Sequence, residues 1–501
     1  MPGEDGVEMT GVDTIVAIST PPGRGGIGIV RLSGPEAVRI AGALVRMRGE
    51  MEHARARRAH VVDPRRRAGT GQEAGTGRDA VGIDEAVVTA FFAPHSYTGE
   101  TVVEIAAHGS PVVLEAMVRG ALEEGARLGL AVRLARAGEF TQRAFFAGRL
   151  DLTQAEAVHD LIAAQTLVQA RVAAQQMGGA ISRRVMPAKG ELLHLIALLE
   201  AGMDFASGEL DDVEIVPPTQ IAAAIADVQE PLTELAASFR RGVLLRHGAA
   251  IALIGPPNAG KSSLFNRLLE RERAIVTPLP GTTRDTVEES LALGGIPLRL
   301  IDTAGLRESD GTGAAAQATI DLAEQEGIAR SREALADADL VLLIHDATQP
   351  MTAGEMEMAA ALAEPGLGRP HLLVENKVDL LGVDARRDAS TGAGMTGRET
   401  IRTSALTGAG MEALRAAILA QLGAAGAVAE SGALNNLRQQ EAVSETLAAL
   451  RAAATANESG LPHEMILMDL HAALRALDSL TGATTPDDIL GRIFSTFCIG
   501  K

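Results

Sequence analysis

The sequence predicts a multidomain α/β protein: an N-terminal α+β domain, a helical domain, and an α/β domain with a mainly parallel sheet inserted into the helical one. Three observations predict this fold class. From 13 to about 134, short β-like runs alternate with helical stretches. An almost wholly helical pattern covers 153 to about 242 and returns from 437 to 480. Between the helical parts, apolar strands are followed by helices, as in parallel sheets.

The elements follow from hydrophobic periodicity. In the N-terminal domain it predicts strands at Thr14 to Ile18, Gly28 to Leu32, Glu85 to Phe92 and Val102 to Ala106, and a helix at Pro111 to Glu124. In the inserted domain it predicts strands at Ala250 to Ile254, Leu298 to Ile301, Leu340 to His345, Leu372 to Glu375 and Thr400 to Thr403. The predicted domains are 1–134, 135–246 (first helical part), 247–424 (inserted) and 425–501 (second helical part).

Composition limits the class of protein. A chain of 501 residues predicts three or four domains, and a net charge of -18 argues against coating nucleic acid with the whole surface. One basic run could contact RNA: Arg55, Arg57, Arg58, Arg65, Arg66 and Arg67. Because it adjoins a Gly-rich stretch, we predict a solvated loop instead.

The single cysteine, Cys498, excludes an intrachain disulfide and fits a reducing compartment. The first 13 residues have no basic region, and no apolar run approaches the roughly 20 residues that span a bilayer. We therefore expect a cytoplasmic protein without a membrane segment.

A phosphate-binding loop is predicted at Gly255-Pro-Pro-Asn-Ala-Gly-Lys-Ser262, which follows an apolar strand and opens a helix predicted at Ser262 to Glu270. Its backbone N–H groups and the helix N-terminus favour phosphate, Lys261 reaches the outer phosphates, and Ser262 holds magnesium. The candidate nucleotide contacts are Asn258, Ala259, Gly260, Lys261, Ser262 and Ser263.

Two later segments complete the metal side of this site. Asp302, Thr303, Ala304 and Gly305 end the next strand, where a carboxylate can hold the magnesium shell and the glycine N–H can sense the γ-phosphate. Gly281-Thr-Thr-Arg-Asp285 lies between the two motifs. We select Thr283 as the switch threonine that closes over the metal.

A base-reading site is predicted at Asn376, Lys377 and Asp379, after the fourth strand. The Asp379 carboxylate can accept both N–H groups on the edge of guanine, whereas adenine presents an acceptor there. Ser404, Ala405 and Leu406 supply a further loop against the base. Four motifs in this order predict a Ras-like P-loop G domain that binds GTP.

The hydrolytic mechanism needs a substitute for a missing group. In Ras-like enzymes a glutamine after the Asp-x-x-Gly motif positions the attacking water, but Leu306 stands here. Candidates are Glu324, Glu326, or a charge brought by a partner or a bound cation. The carbonyl oxygen of Asn258 suits a hard cation, although Asn258 could equally serve only the turn geometry.

The chain resembles the bacterial and organellar tRNA-modification GTPase family called MnmE or TrmE over nearly its whole length. Besides the G-domain motifs, the matching segments are Asp13-Thr-Ile, Thr20 to Arg31, Tyr97-Thr-Gly-Glu100, Gly138-Glu-Phe-Thr141, Arg149 to Ala157, and the tail Phe497-Cys-Ile-Gly-Lys501. The tail is a highly specific signature. A generic GTPase would explain neither end of the chain.

The resemblance implies a homodimer formed through the N-terminal domain, and a heterotetramer with the flavin-dependent partner MnmG. Together the family adds a carboxymethylaminomethyl or aminomethyl group to C5 of the wobble uridine of certain tRNAs. It takes the one-carbon unit from a tetrahydrofolate derivative, in the 5-formyl or methylene form. The folate contacts carried over are Arg31, Glu104 and Arg149.

The same resemblance implies that potassium replaces the missing glutamine, together with dimerisation of the G domains. The potassium ligands carried over are Asn258, Thr277, Leu279 and Thr282. Glu324 is the water-orienting glutamate, with Glu326 its rival because the preceding segment is longer than the family pattern. For Cys498 the resemblance suggests a thiolate role in RNA modification, with Lys501 to lower its pKa, or a bystander thiol.

Two other classes of function compete. A GTP-switched ribosome-assembly factor of the Era-like type needs a basic RNA-binding appendage, and this acidic chain shows none. A GTP-driven helical scaffold needs no folate pocket. Folate binding by residues 1 to about 134 would separate the enzyme from both.

Overall fold

The computed structural model describes residues 13–62, 82–206, 216–270, 288–302, 338–364, 370–381, 400–423, 432–483, 493–494, 497 and 500. The chain divides into two compact units. The first comprises Met1–His159 with Thr481–Lys501, and the second comprises Asp160–Leu480. No helix among the described residues is long and apolar enough to cross a membrane.

The first unit is built on a seven-stranded sheet with the order β3-β4-β5-β6-β2-β1-β7. Its strands are β1 (Thr14–Ile18), β2 (Gly25–Ser33), β3 (Val45–Met47), β4 (Arg57–Val62), β5 (Gly82–Phe91), β6 (Val102–Gly109) and β7 (Val132–Leu134). All neighbours pair antiparallel except β1 and β7, which pair parallel. The helices are α1 (Ala37–Leu44), α2 (Pro111–Leu128), α3 (Glu139–Phe146) and α4 (Leu152–Ala163).

One face of this sheet forms the core of the unit. Val30 and Leu32 of β2 alternate with outward residues, and the same period-two pattern buries Val103 and Ile105 of β6. These side chains share a cluster with residues of α1 and α2, among them Met117. The opposite face carries the remaining residues of the pattern, including Arg31 and Glu104.

The basic run does not form the loop that the sequence predicts. Arg57 and Arg58 are the first residues of β4, which pairs antiparallel with β5. Arg57 forms an ion pair with Glu52, and Arg58 forms one with Glu85. Glu52, just before β4, and Glu85, across the sheet on β5, therefore neutralise this part of the run, which the sequence pattern alone could not show. Residues 65 to 67 lie outside the described residues.

The second unit contains a helical part and a second sheet. Its helices are α5 (Leu167–Met177), α6 (Ala180–Ala206), α7 (Pro218–Ala237), α8 (Phe239–His247), α9 (Lys261–Leu269), α10 (Ala353–Leu362), α11 (Met411–Gln421), α12 (Leu437–Glu458) and α13 (His463–Thr481). Apolar faces of α6, α7, α12 and α13 share one buried cluster that includes Leu192, Val228, Leu450 and Leu470. Helices from before and after the inserted domain thus form one core.

The second sheet has the order β13-β12-β11-β8-β10-β9. Its strands are β8 (Ala249–Ile254), β9 (Glu288–Leu293), β10 (Ile296–Asp302), β11 (Leu340–Asp346), β12 (His371–Asn376) and β13 (Thr400–Arg402). Only β9 runs antiparallel to its neighbour. The carboxyl ends of the parallel strands therefore meet at one edge, where doubly wound sheets bind ligands.

The start of α5 connects the helical part to this sheet. The Thr166 hydroxyl accepts a hydrogen bond from the Gln169 N–H (3.1 Å) and donates one to the Gly295 carbonyl (2.7 Å). The Gln169 amide donates to the Arg246 carbonyl (2.8 Å), at the end of α8. Gly295 has φ 83°, and any Cβ there would collide with Val168, so this turn between β9 and β10 requires glycine.

Candidate functional site: a nucleotide site on the second sheet and an arginine cluster on the first

The phosphate loop forms where β8 ends, as the sequence predicts. All six residues of β8 are buried, and α9 begins at Lys261 after a left-handed Gly260 (φ 89°). A Cβ on Gly260 would occupy the position of the Asn376 side-chain amide, so the loop and the base-reading motif are in direct contact. Gly260 has no side chain to cap the first amides of α9, which are left available for an anion.

The residues of the loop differ in exposure. Ala259 is buried, whereas Asn258 is exposed and adopts a left-handed backbone (φ 62°) that asparagine tolerates better than most residues. Lys261 is largely buried, and its ammonium group donates to the carbonyls of Gly255 (2.8 Å) and Pro256 (2.9 Å). The hydroxyl-bearing Ser262 and Ser263 are exposed in the first turn of α9. The loop thus exposes two hydroxyls at the sheet edge, while the Lys261 ammonium group is bonded to carbonyls of the loop itself.

Asn376 ties the phosphate loop to the base-reading loops. Its side chain is 1% exposed. The Asn376 amide nitrogen donates to the Ala259 carbonyl (3.1 Å). Its oxygen accepts from the Ala405 N–H (3.1 Å) and from the Thr403 hydroxyl (3.4 Å). One buried side chain therefore sets the spacing between the phosphate and base halves of the site.

Asp379, the predicted base-reading carboxylate, is held by the loop that begins at Ser404. The Ser404 hydroxyl donates to Asp379 (2.5 Å) and also accepts from the Thr407 N–H (3.1 Å). Asp379 is half-buried rather than fully buried, and Leu406 is 81% exposed. A carboxylate has about four lone-pair sites, so it can accept from the Ser404 hydroxyl and also from N–H donors of a ligand.

Sequence reasoning missed one charged residue of this edge. Asp346 ends β11 beside Asn376 and accepts a hydrogen bond from the Lys377 ammonium group (2.7 Å). Burial alone would raise the pKa of Asp346, but hydrogen bonds from Lys377 and Thr348 lower it to about 2. The available signal was its position, because it terminates a parallel strand next to the base-reading strand.

The metal-side residues are described only in part. β10 ends at Asp302, whose backbone pairs with Leu253 of β8, so the strand reaches the edge that carries the phosphate loop. The Asp302 side chain is outside the described residues. So are the other predicted metal, switch and water-orienting residues: Thr277, Leu279, Thr282, Thr283, Thr303, Ala304, Gly305, Glu324 and Glu326.

In the first unit, two of the three predicted folate residues form a pair. Arg31 and Glu104 lie opposite each other on β2 and β6, and their side chains form an ion pair at 2.8 Å. The Arg31 guanidinium also donates to the Gly500 carbonyl (3.2 Å) and lies 5.6 Å from the centre of the Phe140 ring. The Ser19 hydroxyl donates to the same carbonyl (3.0 Å).

Of the remaining predicted residues of this region, the structure describes Arg149. Arg149 is exposed, and its side chain lies beside Gly99 of the Tyr97 to Glu100 motif. Cys498 and Lys501 lie outside the described residues. Among the described tail residues, Gly500 is the one that forms a hydrogen bond with Arg31.

The first unit also contains a buried ionic network that the sequence did not predict. The Arg143 guanidinium forms ion pairs with Asp13 (2.6 Å), Glu100 (2.9 Å) and Glu139 (3.1 Å). Glu139 is fully buried and also pairs with Arg133 (2.5 Å). Burial alone would raise the pKa of Glu139, but the hydrogen bonds and charges of the arginines outweigh it and lower the pKa. The network fixes α3 against β7 and the start of β1.

The second sheet and its edge define the class of this protein. A phosphate loop between a buried strand and a helix, joined through a buried asparagine to an aspartate that accepts donors, is the arrangement of a P-loop GTPase domain.

Comparison with known proteins identifies the family. The family model "GTP-binding protein TrmE N-terminus" matches residues 14–149, and the model "MnmE helical domain" matches 152–498. The tRNA modification GTPase MnmE of Koribacter versatilis is 52% identical over 98% of this chain and 99% of its own length. That of Chloroflexus aurantiacus is 41% identical over 98% and 100%. The chain belongs to the MnmE family of tRNA-modification GTPases.

A solved structure also matches part of the chain. A variant of Aquifex aeolicus Era bound to GDP.AlF4- is 26% identical, with 40% of this chain and 66% of that chain covered. The TM-score is 0.27. A score this low gives the likeness no weight.

Proposed function

We propose that this chain is a potassium-activated GTPase that modifies tRNA in the cytoplasm. With a flavin-dependent partner of the MnmG type, in a heterotetramer, it adds a carboxymethylaminomethyl or aminomethyl group to C5 of the wobble uridine. The observation that carries the proposal is the length of the family match, because the relative from Koribacter versatilis aligns over nearly its entire chain. Both the nucleotide site and the Arg31–Glu104 pair of the first unit lie within that match.

The potassium part of the proposal rests on two residues. Leu306 cannot hydrogen-bond the attacking water, so transition-state charge must be stabilised by another group. Asn258 is exposed on the phosphate loop, where its carbonyl oxygen is available to a hard cation beside the phosphates. Oxygens of Thr277, Leu279 and Thr282 are proposed to complete the coordination shell of the potassium ion.

Magnesium is proposed to bind the hydroxyls of Ser262 and Thr283 together with the phosphates of GTP. The exposed Ser262 hydroxyl in the first turn of α9 supports this assignment. Glu324, or its rival Glu326, orients the water. The hydroxyl oxygens of Ser262 and Thr283 are ligands of the type that magnesium prefers.

The one-carbon site is proposed around Arg31, Glu104 and Arg149, with a tetrahydrofolate derivative as donor. An arginine flanked by a carboxylate and an aromatic ring offers donors, an acceptor and a stacking surface to a pterin with a glutamate tail. The contact of Gly500 with Arg31 supports a role for the tail. We propose that Cys498, two residues before Gly500 in the sequence, acts there as a thiolate nucleophile.

The homodimer is proposed to form through the outer face of the first sheet. Ile27 is 68% exposed and Val87 45% exposed on this face. They line a hollow of about 280 Å³ with Ala106 and His108 at its sides. Exposed apolar side chains on this part of the sheet face favour association with a second copy.

The potassium proposal is tested by GTP hydrolysis at constant ionic strength. We expect kcat to be at least tenfold higher in potassium than in sodium, and Asn258→Ala to abolish that difference. Asn266→Ala, which changes an exposed asparagine of α9 outside the loop, is the matched control. Equal rates in the two salts would refute the cation mechanism.

The modification is tested separately in cells that lack the protein. Mass analysis of their tRNA should show loss of the C5 substituent, restored by the wild-type chain. An Arg31→Ala chain should fail to restore it while hydrolysing GTP normally. Unchanged wobble nucleosides in the deletion strain would eliminate the proposed modification.

A further inference from the structure

Asp346 and Lys377 form a pair whose geometry is fixed from both sides. Lys377 has a left-handed backbone (φ 64°), which is rare for lysine and sets the direction of its side chain. Its Cε lies 3.9 Å from where a Cβ on Gly260 would be, so the methylene stem passes over the phosphate loop. Beyond the loop, the ammonium group meets Asp346 at 2.7 Å.

The carboxylate of Asp346 is held by Thr348 as well as by Lys377. One oxygen of Asp346 accepts hydrogen bonds from the Thr348 N–H (3.0 Å) and hydroxyl (2.7 Å). The other oxygen is therefore directed at the lysine. The Ala347 N–H donates to the Asn376 carbonyl (2.9 Å), which attaches the same turn to the base-reading strand.

The buried side chain of His345 stabilises the turn that follows Asp346. His345 lies between the Glu355 carboxylate (2.9 Å) and the Gln349 carbonyl (2.9 Å), one at each ring nitrogen. The second oxygen of Glu355 accepts from the N–H (2.7 Å) and hydroxyl (2.8 Å) of Thr352. The turn between β11 and α10 is thus held at both ends.

We propose that Asp346 is a positioning residue for guanine nucleotide binding, which holds Lys377 extended across the phosphate loop as an apolar wall for the bound nucleotide. A lysine stem has many rotamers, and fixing it in advance removes an ordering cost from binding. The stem presents methylene groups while its charge is neutralised at the far end. The inference rests on the GTPase site, and not on the potassium or folate proposals.

The role predicts a particular kinetic signature. The wall is expected to act on ground state and transition state alike, because the Asp346 carboxylate is hydrogen-bonded to Thr348 and Lys377. Losing it therefore weakens binding without slowing the bound chemistry. In the full-length chain, Asp346→Asn should raise both Kd for a fluorescent GDP analogue and KM for GTP about tenfold, with kcat changed less than twofold. Asp346→Glu, which keeps the charge, should recover most of the affinity.

Glu375→Gln is the matched control. Glu375 pairs with Arg402 at 2.8 Å, with side chains 22% and 35% exposed, against 14% and 31% for Asp346 and Lys377. It lies on the neighbouring strand β12, and its side chain is bonded to Arg402 of β13 rather than to the phosphate loop. Its loss should leave Kd and KM within twofold of the wild type.

A double-mutant cycle tests whether Asp346 acts through Lys377. Lys377→Met should weaken GDP binding, and adding Asp346→Asn to it should weaken binding no further. This comparison also holds if Asp346→Asn lowers the melting temperature, because both arms of the cycle are measured as affinity of folded protein. Unchanged Kd in Asp346→Asn, a loss confined to kcat, or additive losses in the double variant would each overturn the proposal.

Discussion

Removing the side chain of Asn376 should separate the two halves of the nucleotide site. Asn376→Ala leaves the buried Ala259 carbonyl without its donor, at a cost of about 2 kcal/mol. It also leaves the Ala405 N–H without its acceptor, and because Ala405 is half-buried and water can reach it, that adds only about 1 kcal/mol. The total of about 3 kcal/mol corresponds to roughly a hundredfold loss of GDP affinity, if the site must restore this spacing in order to bind.

The assay is titration of the full-length chain with a fluorescent GDP analogue. Asn457→Ala is the control, since Asn457 is also buried and donates to the Pro218 carbonyl (2.9 Å) in the helical part. That variant should lose stability but not GDP affinity. If Asn376→Ala bound GDP within threefold of the wild type, the buried amide would not set the geometry of the site, and the reasoning would be wrong.

Three further predictions follow from single contacts. Asp379→Asn should weaken GTP binding and raise affinity for xanthosine nucleotides, because an amide replaces the acceptor held by Ser404; competition binding measures the ratio, and unchanged selectivity would contradict the assignment. Gly260→Ala should weaken GDP binding more than a hundredfold, because its φ is 89° and a Cβ there would collide with the Asn376 side-chain nitrogen, whereas Gly354→Ala, in an open helical position, should have no effect. Glu139→Gln should destabilise the first unit by about 3 kcal/mol at pH 7 in urea unfolding. Since the folded pKa of Glu139 lies below 4.5, its contribution is present above pH 4.5 and is lost as pH falls through the folded value, so wild type and variant should converge in acid.

Much of the fold could be predicted because its signals are local. The apolar runs that became β8 and β11 are continuous, buried on both faces, and followed by glycine or aspartate. The predicted helix after the phosphate loop begins at Lys261, one residue before the predicted Ser262. The multidomain α/β fold class is confirmed. Short strands such as β3 and β7 were missed, since three residues leave no readable period.

The sequence offers candidate site residues only where a motif sets their spacing, and their roles in binding stay predictions. The phosphate loop and base-reading residues share a fixed spacing with known chemistry. By contrast, the Asp346 and Lys377 pair joins residues 31 positions apart through strand order, which no local pattern reports. The basic run was misread for the same reason, because the partner of Arg58 is Glu85, on a different strand.

The capped start of α5 has a mechanical consequence. Thr166 is bonded to the turn that precedes β10, and Gln169 is bonded to the carbonyl that precedes β8. These are the two strands that lead to Asp302 and to the phosphate loop. Rotation of the G domain about α5 therefore has to break both hydrogen bonds, at a cost of about 1 kcal/mol each. The start of α5 therefore attaches to the G domain at two separate points.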